Sequence, residues 1–149
     1  MTIHLNIGSN LGDRPALISR AVALLREAFP EGHFRVSEPV ESEPWGFVSE
    51  NTFINVGVAI DVDGDIAPEK VLGITQGVEK AISPASHRKP DGTYADRLVD
   101  VDIIAIDPAP GRTLEYQSPT LVLPHPRARL RAFVLDPLRS LCPGHPLLK

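Results

Sequence analysis

The chain has 149 residues, 42% hydrophobic and 23% charged, with a net charge of −4, which suits one domain spanning 1–149 with a sizeable core. A pI near 5.7 excludes the basic face of a general nucleic-acid binder, and no apolar run approaches the roughly 20 residues of a membrane helix. The single cysteine, Cys142, excludes an internal disulfide and any multi-cysteine metal site, and with no charged-then-apolar leader it predicts a cytoplasmic protein.

Ile3, Leu5 and Ile7 alternate with Thr2, His4 and Asn6, predicting a strand with one buried face. Gly8 to Asp13 is its turn, and Asp13 with Pro15 starts a helix whose stripe is Leu17, Ala21, Leu24, Leu25 and Ala28, ending near Pro30. This glycine-bearing loop lacks both the P-loop lysine and the Gly-x-Gly-x-x-Gly spacing, so it reads first as a tight turn. Phe34 and Val36 suggest a short second strand, and Pro44-Trp45-Gly46 puts the only tryptophan on a loop, as a core cap or a pocket wall.

Along residues 52–62, Ile54, Val56, Val58 and Ile60 line one strand face, and Phe53, Asn55, Gly57 and Ala59 the other. A ring, an amide and two small residues side by side suit a flat, hydrogen-bonding ligand; they equally suit a packing face in which Asn55 finds a backbone partner. After a turn at 61–65, Ala67-Pro68 opens a helix to about Ile82, with Val71, Ile74, Val78, Ala81 and Ile82 as its buried stripe. Gln76 and Glu79 share another face of that helix.

Residues 83–95 form a basic loop with proline and glycine, whose Arg88 and Lys89, with Arg97, can supply positive charge to a polyphosphate. Asp100 and Asp102 then project to one face of a strand, with Cβ atoms about 6 to 7 Å apart. Two carboxylates at the mouth of a buried strand repel unless a cation neutralises them, and oxygen-only donors point to Mg²⁺ or Mn²⁺. The apolar run Ile103 to Ile106 predicts a central strand covered on both faces. Asp107 to Gly111 is a turn and Thr113 to Tyr116 an edge strand. His125 is locked between two prolines in an irregular segment. Arg127, Arg129 and Arg131 precede a short helix at 133–138, and the tail from Cys142 to Lys149 is expected to be peripheral.

Ile7-Gly8-Ser9-Asn10-Leu11-Gly12, Phe53-Ile54-Asn55, Gln76-x-x-Glu79, Arg97-x-x-Asp100-x-Asp102-Ile103, Pro124-His125-Pro126-Arg127 and Arg131-x-Phe133-Val134-Leu135-x-Pro137-Leu138 occur in this order. With these motifs the chain resembles the 6-hydroxymethyl-7,8-dihydropterin pyrophosphokinases of folate biosynthesis, over nearly its whole length. The resemblance implies an α/β domain, an α+β sandwich with a ferredoxin-like, mainly antiparallel sheet and helices on both faces. It implies transfer of the pyrophosphoryl group of ATP to the pterin hydroxymethyl, with release of AMP, by a monomer or weak homodimer. Two Mg²⁺ ions would be held by Asp100 and Asp102. Phe53 and Phe133 would sandwich the pterin, with Asn55 and the chain from Ser42 to Trp45 reading its edge. Gln76, Glu79, Arg97, His125 and Arg131 would contact ATP, and Ile103 would line the adenine pocket.

The chain departs from the family pattern after the second helix, where a Gly-Arg-x-Arg stretch is usual. Here residues 82–88 lack the first arginine, and Arg88 matches the second, with Lys89 or His87 as substitutes for the lost charge. A protein of this fold that binds nucleotide or pterin with weak or no catalysis is therefore the alternative. An unrelated Asp-x-Asp nucleotidyl- or glycosyltransferase leaves Phe53, Asn55 and Phe133 unexplained.

Overall fold

In the computed structural model, which describes residues 1–43, 52–82 and 98–149, the alternating opening segment forms β1 (Thr2–Ser9). The Asp13 carboxylate caps α1 (Arg14–Ala28) by accepting from Ala16 N at 3.3 Å, with proline in the first turn. There follow β2 (His33–Val36), β3 (Val40–Ser42), β4 (Phe53–Asp61), α2 (Pro68–Ile82) and β5 (Asp100–Asp107). A small ribbon of β6 (Tyr116–Gln117) and β7 (Val122–Leu123) precedes α3 (Ala132–Leu141).

The principal sheet runs β2-β4-β1-β5, with β3 also on β4, and each of these pairs is antiparallel. The helix-linked order is the ferredoxin-like one, an α+β sandwich. Ile3, Leu5 and Ile7 of β1, with Val56, Val58 and Ile60 of β4, build one core against α1 and α2. Ile18, Ala21 and Leu25 are the buried positions of α1, and Val71, Thr75, Val78 and Ile82 those of α2. On the other face, α3 places Val134 and Leu138 over Ile104 and Ala105 in a second, smaller core. A Cβ at Gly57 would lie 2.7 Å from the Pro137 Cβ, so glycine lets α3 sit directly on the sheet.

Three expectations need correction. The β5 strand is at the end of the sheet rather than its centre. Its apolar run is nonetheless covered, because both faces carry helices and its outer edge is served by Leu114 N donating to Ile106 O and His125 N donating to Ile104 O, each at 2.8 Å. The edge strand at 113–116 is instead the separate ribbon, which Tyr116, Ser118 and Thr120 tie to Glu69 of α2. Nor is the tail peripheral: His145 and Leu147 are 1% and 4% exposed.

The strand β5 also contains a bulge. Leu5 pairs with Ile103 and His4 with Ala105, so Ile104 has no partner on β1. One extra residue reverses the inside-outside alternation. Asp107 therefore shares a sheet face with Asp100 and Asp102 despite their opposite parity in sequence.

Candidate active site

The rows of that face can be read from the register. Gly8 stands between Asn55 and Asp100, and Asn6 between Gly57 and Asp102. Residues two apart on three strands thus put an amide, a glycine and two carboxylates on one floor. Phe53 and Asn55 rise from β4, Ser42 from β3, and Arg131 and Phe133 from the start of α3, lining a cleft over this floor. A Cβ at Gly8 would lie 3.0 Å from Asn55 Oδ1 and 3.3 Å from the Phe53 ring, so the bare backbone keeps the cleft open.

Asn55 is 2% exposed. Its Nδ2 donates to Ser42 Oγ at 2.8 Å and to Val40 O at 3.2 Å. Both amide hydrogens are thereby committed to β3, and the Oδ1 acceptor is what the side chain offers a ligand. The Arg131 guanidinium lies 5.6 Å from the Phe133 ring centre and 3.7 Å from Asp102 Oδ2, linking the aromatic wall to the acid pair.

A third carboxyl joins the pair from the helical side. Glu79 Oε2 accepts from Val101 N at 2.9 Å. Burial pushes the Glu79 carboxyl up to about 8, and Asp100 and Asp102 add to the rise against the opposing Val101 hydrogen bond. Asp100 and Asp102, whose charges act on Glu79, offer oxygen donors only, which fit a hard divalent cation. The folded chain, without metal, holds a proton on Glu79 that the unfolded chain releases near pH 4.5. Its stability therefore falls as pH rises from about 4.5 to 8. Melting temperatures in a chelator are expected to decline across that window, and to decline less in Glu79→Gln; parallel profiles would refute the assignment.

His125 is pushed down to about 4 by burial, with Arg131 and Arg127 adding to the effect. Its Nδ1 accepts from Arg127 N at 3.1 Å. At neutral pH the ring is therefore an uncharged Nε2–H donor. Gln76 is exposed and Ile103 is 4% exposed in the larger core, on the opposite face of β5 from the acids, so the structure does not bring these two side chains to the cleft. Trp45, Arg88 and Arg97, with His87 and Lys89, lie outside the described residues.

Asn6 entered the sequence reading only as a strand residue and Gly8 only as a turn and a motif position without a role in the site, although their alternation on β1 already put them on one face. The cluster His4, Asp107 and His145 had no local signal at all. Asp107 accepts from His4 Nε2 at 2.7 Å, from His145 Nε2 at 3.0 Å and from Thr113 Oγ1 at 2.9 Å. Burial alone would raise its carboxyl, but the hydrogen bonds from His145 and His4 hold it well below the usual range. Two histidines and a carboxylate this close could be taken for a metal centre. However, His145 Nδ1 accepts from Leu147 N at 3.1 Å, which leaves the ring proton on Nε2, facing Asp107. The group is a staple for the C-terminal segment, at the far end of β5 from Asp100.

The sequence profile of the family "7,8-dihydro-6-hydroxymethylpterin-pyrophosphokinase (HPPK)" matches residues 4–143. A 2-amino-4-hydroxy-6-hydroxymethyldihydropteridine pyrophosphokinase of Porphyromonas gingivalis is 37% identical over 145 residues, 97% of this chain and 93% of that protein. Proteins of the same name from Methylorubrum extorquens and Bacillus subtilis are 31% and 30% identical, covering 94% and 93% of this chain and 82% and 77% of their own lengths.

Proposed function

The chain belongs to the 7,8-dihydro-6-hydroxymethylpterin-pyrophosphokinase family, and we propose that the cleft between β1, β4, β5 and α3 is its active site. The protein is a pyrophosphokinase: it transfers the pyrophosphoryl group of ATP to the hydroxymethyl of 6-hydroxymethyl-7,8-dihydropterin, releasing AMP, in folate biosynthesis. The observation that carries the site is the floor on which Asn55, Gly8 and Asp100 stand abreast, with Phe53 and Phe133 among its walls.

In this reading Phe53 and Phe133 hold the two faces of the pterin, which aromatic rings do at little entropic cost. Asn55 Oδ1, fixed by the two bonds from its amide nitrogen, accepts from the pterin edge, and Ser42 and Trp45 complete that edge. Asp100 and Asp102 hold magnesium, with two ions expected. Bound there, magnesium supplies charge neutralisation and Lewis acidity to the transferring group. The crowding of Glu79, Asp100 and Asp102 supports this assignment. His125 donates Nε2–H to a phosphate oxygen, and Arg131 faces developing charge while stacked by Phe133. Gln76, Glu79, Arg88 and Arg97 serve the nucleotide side. One domain over 1–149, acting in the cytoplasm as a monomer or weak homodimer, is part of the same reading; among the described residues no helix is long and apolar enough to cross a membrane.

Incubation with ATP, Mg²⁺ and 6-hydroxymethyl-7,8-dihydropterin, resolving the nucleotide products, tests the activity. Pterin-dependent AMP is expected. Formation of ADP would make the protein a simple kinase, and binding of both substrates without turnover would make it a binding protein. Within the cleft, Gly8→Ala is expected to raise the pterin KM about tenfold, since overpacking costs about 1 to 3 kcal/mol. The ATP KM should change less than twofold, and an unaltered pterin KM would remove Gly8 from the pterin site.

A further inference from the structure

Phe133 is the second residue of α3, so its carbonyl is due a hydrogen bond from the backbone N–H of residue 137. That residue is Pro137, which has no N–H to give. The acceptor is served from the sheet instead: Asn6 Nδ2 donates to Phe133 O at 2.9 Å. Asn6 is 5% exposed and is the cross-strand neighbour of both Gly57 and Asp102. Gly57 lets the proline turn of α3 approach the floor, and Asn6 fastens that turn where it lands. One amide thus joins the wall of the cleft to the strand position beside an acid of the pair.

We propose that Asn6 is a positioning residue for the pterin: it makes the helix hydrogen bond that Pro137 cannot, and so fixes Phe133 at its height over the floor that carries Asp102. This rests on the assignment of Phe133 to the pterin wall. Without the amide, the Phe133 carbonyl is left without its donor close to the sheet, and the first turn of α3 relaxes away from β1 to recover one. The aromatic wall moves with it. Of the nucleotide side, α2 and the segment around His125 are not attached to Asn6, so the ATP KM should be little affected; Arg131, at the start of α3, moves with Phe133, and its displacement should register in kcat.

The relation to Pro137 supplies a test that a general packing role would fail. Asn6→Ala is expected to raise the pterin KM about tenfold, the worth of one such hydrogen bond, with the ATP KM changed less than about twofold. Pro137→Ala keeps the Cβ that meets Gly57 and restores an N–H to the helix, so Phe133 O regains an internal donor. In that background the Asn6→Ala effect should shrink to less than about threefold. A penalty of equal size in both backgrounds, or one shared equally between ATP and pterin, overturns the positioning role. Phe133→Ala is the control for the underlying assignment. If it leaves the pterin KM unchanged, the reading of Phe133 fails, and this role of Asn6 falls with it; if it raises the KM while Asn6→Ala does not, only the present proposal fails. Should Asn6→Ala not fold, the same comparison is made with Asn6→Ser, whose hydroxyl is too short to reach the carbonyl.

Discussion

Replacing Asp100 or Asp102 by asparagine is expected to lower pterin-dependent AMP formation by about a thousandfold or more. Charge stabilisation by a bound cation contributes several kcal/mol to reactions of this class, and about 1.4 kcal/mol corresponds to each factor of ten. The folded chain should not suffer. Asp100 and Asp102 both push the Glu79 carboxyl up, so Asp100→Asn relieves repulsion in the metal-free protein and its melting temperature is expected to hold or rise, whereas Asp102→Asn also gives up the ion pair to Arg131 and is expected to gain less. A second readout is independent of turnover. Magnesium should raise the melting temperature of the native chain by mass action, and should raise that of the asparagine variants far less. A loss of activity smaller than tenfold, or an undiminished magnesium shift, would remove the acid pair from the metal site.

Asp107→Ala is expected to be the most destabilising single change outside the apolar cores. It removes the acceptor shared by His4, His145 and Thr113 and leaves their donors buried. Breaking a buried charged cluster on one side costs about 3 to 5 kcal/mol, which for a domain of this size corresponds to a fall of roughly 10 °C in melting temperature. Thr113→Val, which deletes one neutral donor at the edge of the cluster, should cost about 1 kcal/mol. The pH dependence has the opposite sign to that of Glu79. The Asp107 carboxyl is held below its ordinary value in the folded chain, so its contribution is present above about pH 4 and is lost as the solution is acidified below that. Asp107→Asn should therefore flatten the acid limb of the stability profile. A melting temperature within 2 °C of the native protein for Asp107→Ala would show that the tail is held by Leu147 and its neighbours alone.

These three aspartates, on one strand and one face, mark the boundary between what was legible in the sequence and what was not. Alternation was enough to find β1 and β4, because their large apolar side chains lie on the face covered by α1 and α2; the expectation of a single buried face was not met, since the polar and small residues of the other face are buried as well. The cap at Asp13 and the proline after it delimit α1 for a similarly local reason: orphan N–H groups need an acceptor within three residues. The paired acids and the Phe53-Ile54-Asn55 run could be named because each is a short motif whose chemistry is carried by neighbours in sequence, whereas the role of Phe133 came only with the resemblance to the family.

What the tertiary structure decided depends on contacts that no window of sequence contains. The bulge at Ile104 turns Asp107 to the face of Asp100 and Asp102, whereas a strict period of two puts it on the other side. His4 and His145 meet there from 103 and 38 residues away. The end position of β5 was hidden because its apolar run reports coverage of its faces, and its edge is closed by Leu114 and His125 rather than by a strand. Asn6 reads as an ordinary outward strand residue until α3 arrives above it with a carbonyl that Pro137 has left unserved. By itself the sequence determined the long strands β1 and β4 and the helices α1 and α2, since these follow from local sterics and periodicity. Which faces those groups share, and what holds them at working height, follows from long-range register and from hydrogen bonds satisfied between distant elements.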